Sequence, residues 1–489
     1  MRPLHILVLL VSAAAPAAQD GALARALQDF NAGRNLEAAI GFRQAAGSAA
    51  GDDRARAEYF LAQALDRMGL PFSAFFHYAL IVQSGPAHAY WLKAIEGASA
   101  AAAQLRDEVV APNLFDKAYG EQFSGVEPQA LARVHASLGL LAYRAGRYDD
   151  AARFVGRVPA ASQAWPQAQY VAGLLQQRTD PARAAQTFRG IVALPGTAPE
   201  LRELGWIGLG RTLYGMRRYA EASAAYQNLP RFSRHWDEAL FESAYADVQS
   251  GDPGGALGKL HSLHSPHLRD EFAPEALNLT AIIFYQRCLY PQARSAQAKF
   301  DREYLPMRDR VKETLSLDLA LEEYWRMLRP GDARLPPAVQ HHLQKNERIA
   351  SFRDLLQALD RESARLRADS ALAGSALGAE LADGVARQKE LIEQLAGKFI
   401  RGRLADMARL VDVLEGDKEL IAFETTKGEK EMLESRFDVS AQLASQQIRR
   451  PAIPQQGHEY WPFDGEYWPD EIGFYRYTIK DACAGSKEE

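Results

Sequence analysis

Carboxylates and aromatic rings are concentrated near the C-terminus, where residues 459–469 read EYWPFDGEYWP. The four-residue word EYWP occurs twice, and Phe463, Asp464 and Gly465 separate the two copies. Carboxylates this close together could act as acid and base or bind a metal ion. Exposed Trp and Tyr rings could instead stack on sugars or on a protein partner. The surrounding elements decide among these chemistries.

The turn signal in this segment favours a structural role. Asp464-Gly465 is the pair preferred in a two-residue β-hairpin turn, and the prolines then fall at positions that need no backbone donor. Residues 474–479, FYRYTI, could add a third strand. An isolated hairpin is marginal in water, so we expect its rings to pack on the protein's own helices or on a partner. The candidate partner-binding residues of the tail are Tyr460, Trp461, Phe463, Tyr467 and Trp468.

Two groups of histidines could in principle bind a metal. His261, His264 and His267 recur every third residue, but no Cys or carboxylate clearly completes a ligand set. We expect these three histidines on a solvated rim. His341 and His342 lack the Glu and the second His of a metalloprotease helix. The sequence therefore predicts neither a metal nor another cofactor.

Motifs of the common enzyme classes are absent from the sequence. It contains no Gly-rich phosphate loop ending in Lys-Ser/Thr and no Gly-x-Ser-x-Gly elbow. The 489 residues carry a net charge of -5 with 24% charged residues, which is unlike the basic footprint of a nucleic-acid-binding protein. We expect a protein that is not an enzyme and does not bind nucleic acid.

The N-terminus has the three-part pattern of a secretory signal peptide over residues 1–18. Arg2 precedes the apolar run Leu4–Val11, and small residues follow. The first cysteine is Cys288, so no lipid-anchoring Cys follows the apolar run, and no later stretch approaches the ~20 apolar residues that span a bilayer. We expect an exported, periplasmic protein. Cys288 and Cys483 could form a disulfide there, and the sequence leaves their pairing open.

Residues 19–307 are filled by a repeat. Its clearest copies are residues 135–158, HASLGLLAYRAGRYDDAARFVGRV, and residues 204–230, LGWIGLGRTLYGMRRYAEASAAYQNLP. About seven copies of this pattern resemble the tetratricopeptide repeat, a helix-turn-helix unit of 34 residues. The resemblance implies that each unit buries its apolar face by stacking on its neighbours in a superhelical solenoid.

The same resemblance implies a binding groove, because the first helix of each repeat in that family lines a concave surface that takes up peptides. Tyr offers apolar area with a polar tip, and Arg offers a fork for carboxylates. Packing between repeats is the alternative role for the tyrosines. The groove-facing candidates are Arg133, Tyr143, Arg144, Arg211, Tyr214, Phe241, Tyr245, Asn278 and Tyr285.

The second half of the chain is predicted to be helical as well. Residues 308–337 form a connecting helix and a Pro/Gly turn, and residues 338–448 show apolar positions at spacings of three and four. This pattern predicts a long antiparallel, coiled-coil-like hairpin that could serve as an oligomerisation element. Residues 449–489 form the aromatic tail. The predicted fold class is therefore all-α, with a solenoid, a helical hairpin and a short C-terminal β-hairpin.

This combination, with its tail WPFDGEYWPDEIGFYRY, resembles periplasmic repeat proteins of bacterial gliding-motility and cell-envelope assemblies. The resemblance implies a non-catalytic exported scaffold or adaptor that binds other envelope proteins or peptides. The alternative is an envelope protein that binds or modifies peptidoglycan or another carbohydrate through the aromatic tail. The partner, the biological process and the oligomeric state are not specified by the sequence.

Overall fold

The computed structural model of the chain describes residues 19–434, 458–459, 463 and 465–483. Its regular secondary structure is helical, and no residue in these ranges lies in a strand. The predicted all-α class is confirmed for this part of the chain. Within the same ranges, no helix has the length and apolar character needed to cross a membrane. The predicted signal peptide and residues 435–448 of the predicted helical hairpin lie outside the described residues.

The helices follow one another with short connections. The first ten are α1 (Gln19–Asn31), α2 (Asn35–Ser48), α3 (Gly51–Arg67), α4 (Pro71–Ser84), α5 (Trp91–Leu105), α6 (Ala111–Ala118), α7 (Pro128–Arg144), α8 (Tyr148–Val155), α9 (Trp165–Gln176) and α10 (Pro181–Ala193). The next six are α11 (Pro199–Gly215), α12 (Tyr219–Tyr226), α13 (Trp236–Gln249), α14 (Pro253–Leu263), α15 (Glu275–Gln286) and α16 (Tyr290–Ser316). The last five are α17 (Leu321–Arg326), α18 (Pro337–Lys345), α19 (Glu347–Ala368), α20 (Ser370–Ala373) and α21 (Ala376–Glu434).

Local sequence signals explain many of these boundaries. Several helices begin with proline in the first turn, where its missing N–H is not needed. The tight turns between paired helices use residues with positive φ, such as Gly69, Gly146 and Gly251. Cys288 takes the same conformation between α15 and α16, with φ of 57°. The sequence thus makes helix pairs with short, left-handed turns.

The described chain divides into two compact units. The first contains the residues up to Ala168 together with Ser351–Glu393, and the second contains Gln169–Ala350 together with the described residues from Gln394 onward. Each unit therefore combines part of the predicted repeat region with part of the C-terminal helices.

In the first unit, α19 is fastened to the repeat region by charged groups. The buried carboxylate of Glu362 accepts hydrogen bonds from the backbone N–H groups of Phe72 and Ser73, at 2.7 and 2.8 Å, and from the Ser73 hydroxyl. These two N–H groups belong to the first turn of α4, which lacks helical partners for them. Arg365 donates to the Gly69 carbonyl at 3.0 Å. A residue 290 positions away thus caps α4.

In the second unit, two apolar cores stabilise the fold. One is formed by α10–α15 and includes Phe188, Tyr226 and Trp236. The other joins the α15–α17 region to α18 and α21 through residues such as Phe300 and Ile400. Around the second core, Lys418 of α21 pairs with Asp301 of α16. Helix α21 is therefore part of the folded unit along this stretch.

The predicted aromatic β-hairpin is not supported. Tyr460–Pro462 and Asp464 lie outside the described residues, so the first half of the predicted ribbon has no description. Residues 474–479 do not form the predicted third strand, because they are irregular. Their backbone instead meets α14, where Tyr477 N–H donates to the Gly254 carbonyl at 2.9 Å. This part of the tail therefore bonds to the body rather than to a neighbouring strand.

Candidate functional site

In the second unit, the predicted groove residues Arg211, Tyr214, Phe241 and Tyr245 lie on α11 and α13. Arg211 bridges these helices, donating from Nε to Glu242 at 2.9 Å and from Nη2 to Glu242 at 2.6 Å, and it also pairs with Glu238. Phe241 and Tyr245 are neighbours on α13, with ring centroids 5.3 Å apart.

Burial and neighbouring charged groups shift the pKa values of the side chains on this surface. Burial opposes the charge of Arg211, but Glu242 and Glu238 raise the pKa of the guanidinium overall. Burial also opposes the charge of Glu238, and the neighbouring His235 and Arg211 nevertheless lower the pKa of Glu238 to about 2. The Tyr226 hydroxyl donates to Glu242 at 2.6 Å, and burial together with that carboxylate raises the pKa of Tyr226. Arg211 and Glu238 are therefore both charged at neutral pH.

The tyrosines supply the apolar part of the same surface. Tyr214 packs edge-on against Tyr219, with centroids 5.2 Å apart, and is partly buried. The side chain of Tyr245 is 38% exposed. Burial raises the pKa of Tyr245, and the nearby phenol of Tyr214 and carboxyl of Glu275 add to the effect. The surface therefore combines fixed charges with half-exposed rings, and it involves α11, α13 and α15.

Two other predicted groove residues of the second unit are engaged within the fold. Asn278 is 6% exposed and donates from Nδ2 to the Leu414 carbonyl of α21 at 2.9 Å. Tyr285 lies beside Tyr290, with centroids 6.3 Å apart. Asn278 therefore acts in packing α15 against α21.

The predicted groove residues of the first unit have partners on neighbouring helices. Arg133 donates from Nε to the Ser99 hydroxyl at 3.1 Å, and Arg144 pairs with Glu108 at 3.2 Å. The Tyr143 ring lies 5.8 Å from that of Tyr148. These contacts tie α7 to α5 and to the turn after α5.

Sequence reasoning missed an aromatic pair in this unit. The rings of Tyr59 in α3 and Tyr90, just before α5, stack at 4.7 Å with an interplanar angle of 10°. Burial raises the pKa of Tyr59, and Lys93 and Glu96 on α5 lie close enough to affect it. The sequence contains both tyrosines, 31 residues apart, but neither is one of the positions by which the repeat was identified.

The tail packs on its own chain in the second unit. Ile472 is 0% exposed and belongs to the core of α10–α15. His261 on α14 is surrounded by tail rings, with Tyr467 stacked at 4.8 Å and Phe463 edge-on at 4.6 Å. By contrast, the Trp468 side chain is 52% exposed. Tyr460 and Trp461, the other predicted tail residues, lie outside the described residues.

A disulfide joins the tail to the body. Cys483 pairs with Cys288 in the α15–α16 turn, across 195 residues of sequence. Next to this bond, Ala482 N–H donates to the Arg287 carbonyl at 3.0 Å, and Arg287 pairs with Asp481 at 2.9 Å. The pairing that the sequence left open is thus made within one chain.

The histidines singled out by the sequence are placed differently from the prediction. Burial lowers the pKa of His261 to about 4 and that of His264 to about 3, with Lys299 adding to both shifts. Both side chains are half-buried, and His261 lies among the tail rings, so the predicted solvated rim does not describe these two, while His267 is exposed. His341 lies 3.2 Å from Glu271, and burial lowers the pKa of His342. In the part of the chain that the structure describes, no group of three or more His, Cys, Asp or Glu could hold a metal ion.

Comparison with protein-family models and with curated proteins finds no match to this chain.

Proposed function

We propose that this protein is a non-catalytic exported scaffold whose tetratricopeptide-like helix pairs bind other proteins of a cell-envelope complex, such as gliding-motility machinery. In this proposal the protein consists of a solenoid over residues 19–307, a connection over 308–337, a helical hairpin over 338–448 and a tail over 449–489. The stacked helix pairs of each unit support it, since such arrays offer extended surfaces.

The observation that carries the proposal is the surface of α11 and α13. There the fixed ion cluster of Arg211 lies on the same helices as the partly exposed rings of Tyr214 and Tyr245. Rigid Tyr and Arg side chains are enriched at the energetic centres of protein interfaces. A partner segment with an apolar side chain beside a polar one fits this combination.

The test is co-purification of the mature protein with an envelope extract, followed by mass spectrometry. We expect the double variant Arg211→Ala/Tyr214→Ala to lose specific partners that the wild-type protein retains. Arg218→Ala is the matched control, because Arg218 precedes α12 and pairs locally with Glu221, three residues away. Equal recovery of the same partners by the double variant and the control would contradict the proposal.

A second candidate function is binding of a carbohydrate such as peptidoglycan through the tail. It is supported by the exposure of Trp468 and of Phe463, which is 49% exposed. In a pull-down with purified cell wall, this function predicts retention of the wild-type protein and loss of retention for Trp468→Ala. Retention on the wall without any protein partner would favour it over the scaffold.

A further inference from the structure

Two glycines of α14 open a channel that the tail backbone fills. Gly254 and Gly258 are one helical turn apart, and a Cβ on Gly258 would overlap the carbonyl oxygen of Tyr475. A Cβ on Gly254 would lie 2.5 Å from the carbonyl oxygen of Tyr477. The Tyr477 N–H donates to the Gly254 carbonyl at 2.9 Å. Only a helix without side chains at these positions lets another backbone approach so closely.

Three residues of the tail fix its register in this channel. Ile472 enters the apolar core, and Gly473 follows it with its N–H donating to the Ser262 hydroxyl at 2.9 Å. Gly473 also lies against the indole of Trp236, where a Cβ would come within 2.9 Å of the ring. Arg476 then forms two bonds to the Asp252 carboxylate, at 2.7 and 2.8 Å. Such bidentate pairs are directional as well as strong.

These contacts together describe a peptide-binding site rather than an ordinary core. The tail is bound by backbone approach, one buried aliphatic side chain and one arginine, and its other rings lie on the surface of α14 around His261. A segment that fits through its backbone and a few anchors can be replaced by another segment with the same anchors. The covalent bond between Cys288 and Cys483 is the contact that favours the chain's own tail over any competitor.

We propose that the surface of α13–α15 beneath the tail is a second peptide-binding site, which the chain's own residues 472–483 occupy and the Cys288–Cys483 disulfide keeps closed. Its other ligand is an extended partner segment with an aliphatic residue followed by glycine and, three residues later, arginine. The side chains of this site are different from Arg211, Tyr214 and Tyr245, so the site does not depend on the function proposed for those three residues.

The disulfide gives the site a chemical control. A dithiol reductant transfers two electrons and two protons to the pair, so that Cys288 and Cys483 become thiols and the reductant becomes a disulfide. Once the bond is broken, the tail is held by its non-covalent anchors alone, and the local concentration advantage of a tethered segment is reduced. A partner segment can then compete for the channel.

The test uses the full-length chain carrying Ile472→Asp and Cys483→Ser, which displaces its own tail. The probe is a fluorescent synthetic peptide of residues 466–483 with serine at position 483. We expect fluorescence anisotropy to show binding at least tenfold tighter to this variant than to the oxidised wild-type protein. The control peptide carries Ile472→Asp and should bind at least tenfold more weakly than the wild-type peptide.

A body variant checks that the peptide uses the glycine channel. Adding Gly258→Ala to the displaced-tail protein should abolish peptide binding while circular dichroism shows an unchanged helix content. Equal binding of both peptides, or peptide binding that survives Gly258→Ala, would overturn the proposal.

A second measurement needs no variant. Hydrogen exchange of the wild-type protein should become faster in residues 472–483 and 254–262 after reduction with dithiothreitol. Exchange that is the same in the oxidised and reduced proteins would mean that the disulfide does not control the site, and the proposal would fail.

Discussion

Removal of the Cys288–Cys483 disulfide should lower the stability of the second unit by several kcal/mol. The bond closes a loop of 195 residues in the unfolded chain. The chain-entropy relation gives an entropy change of about -18 cal/mol/K for a loop of this length, or about 5 kcal/mol at 25 °C. Measured effects are commonly smaller, so a loss of about 2–5 kcal/mol is expected.

The perturbation is the double substitution Cys288→Ser/Cys483→Ser, which leaves no unpaired thiol. Serine fits both positions because each side chain is partly exposed, and because the left-handed backbone conformation at residue 288 does not require a cysteine side chain. Urea unfolding followed by tryptophan fluorescence reports on this unit through Trp236, which lies in the core beside the tail. The expected result is a lower unfolding midpoint with little change in slope.

Reduction of the wild-type protein is the matched control, since it should reproduce the loss, and the double variant should not respond to the reductant. Non-covalent contacts also hold the tail in the native state. Burial of Ile472 alone is worth about 2–3 kcal/mol, so the tail can stay docked after the disulfide is removed. A loss of less than about 1 kcal/mol in the double variant would refute an entropic origin of the stabilisation, because the loop would then be constrained in the unfolded chain by something else.

Three further predictions concern single side chains. Gly258→Ala should lower the stability of the second unit in urea unfolding, because the alanine methyl would overlap the tail backbone. This loss should outweigh the helix preference for alanine over glycine, which is about 1 kcal/mol. The control is Gly190→Ala on α10, which should be neutral or stabilising because a methyl there faces open space. Burial lowers the pKa of His264 from 6.5 to about 3, so the unfolded chain binds a proton that the native chain excludes. The free energy of unfolding should therefore fall as the pH drops below about 6.5, by about 2 kcal/mol at pH 5. Urea unfolding at several pH values should show that His264→Gln removes this pH dependence and that the exposed control His267→Gln retains it. Glu362→Ala should lower the free energy of unfolding of the first unit by about 2 kcal/mol in thermal or urea unfolding, because two backbone N–H groups of α4 lose their acceptor, and an unchanged value would contradict the capping role.

Helices were predictable because their signals are local. Glycine in the turns and proline in the first turns appear in the sequence next to the elements that they delimit. The pairing of Arg211 on α11 with Glu238 and Glu242 on α13 was not predicted. A pattern that specifies which face a residue occupies does not specify whether that residue binds a neighbour or a partner.

The position of the C-terminal helices could not be predicted by the same means. Glu362 was assigned to a helical hairpin by its local pattern, but its partners in α4 are 289 and 290 residues away. Nothing in the local sequence marks a buried carboxylate as the cap of a distant helix. Long-range capping of this kind is determined by tertiary structure, which the spacing of apolar residues does not encode.

The tail shows where a correct local signal leads to a wrong structure. Alternating aromatic residues and an Asp-Gly pair favour a β-hairpin, but such a ribbon must still bury one face. Helix α14 offers a better solution, because Gly254 and Gly258 let the tail backbone reach the helix itself and Ser262 supplies a hydrogen-bond partner. Residues 253–259, PGGALGK, contain these glycines, but their role is apparent only when the tail is considered together with α14.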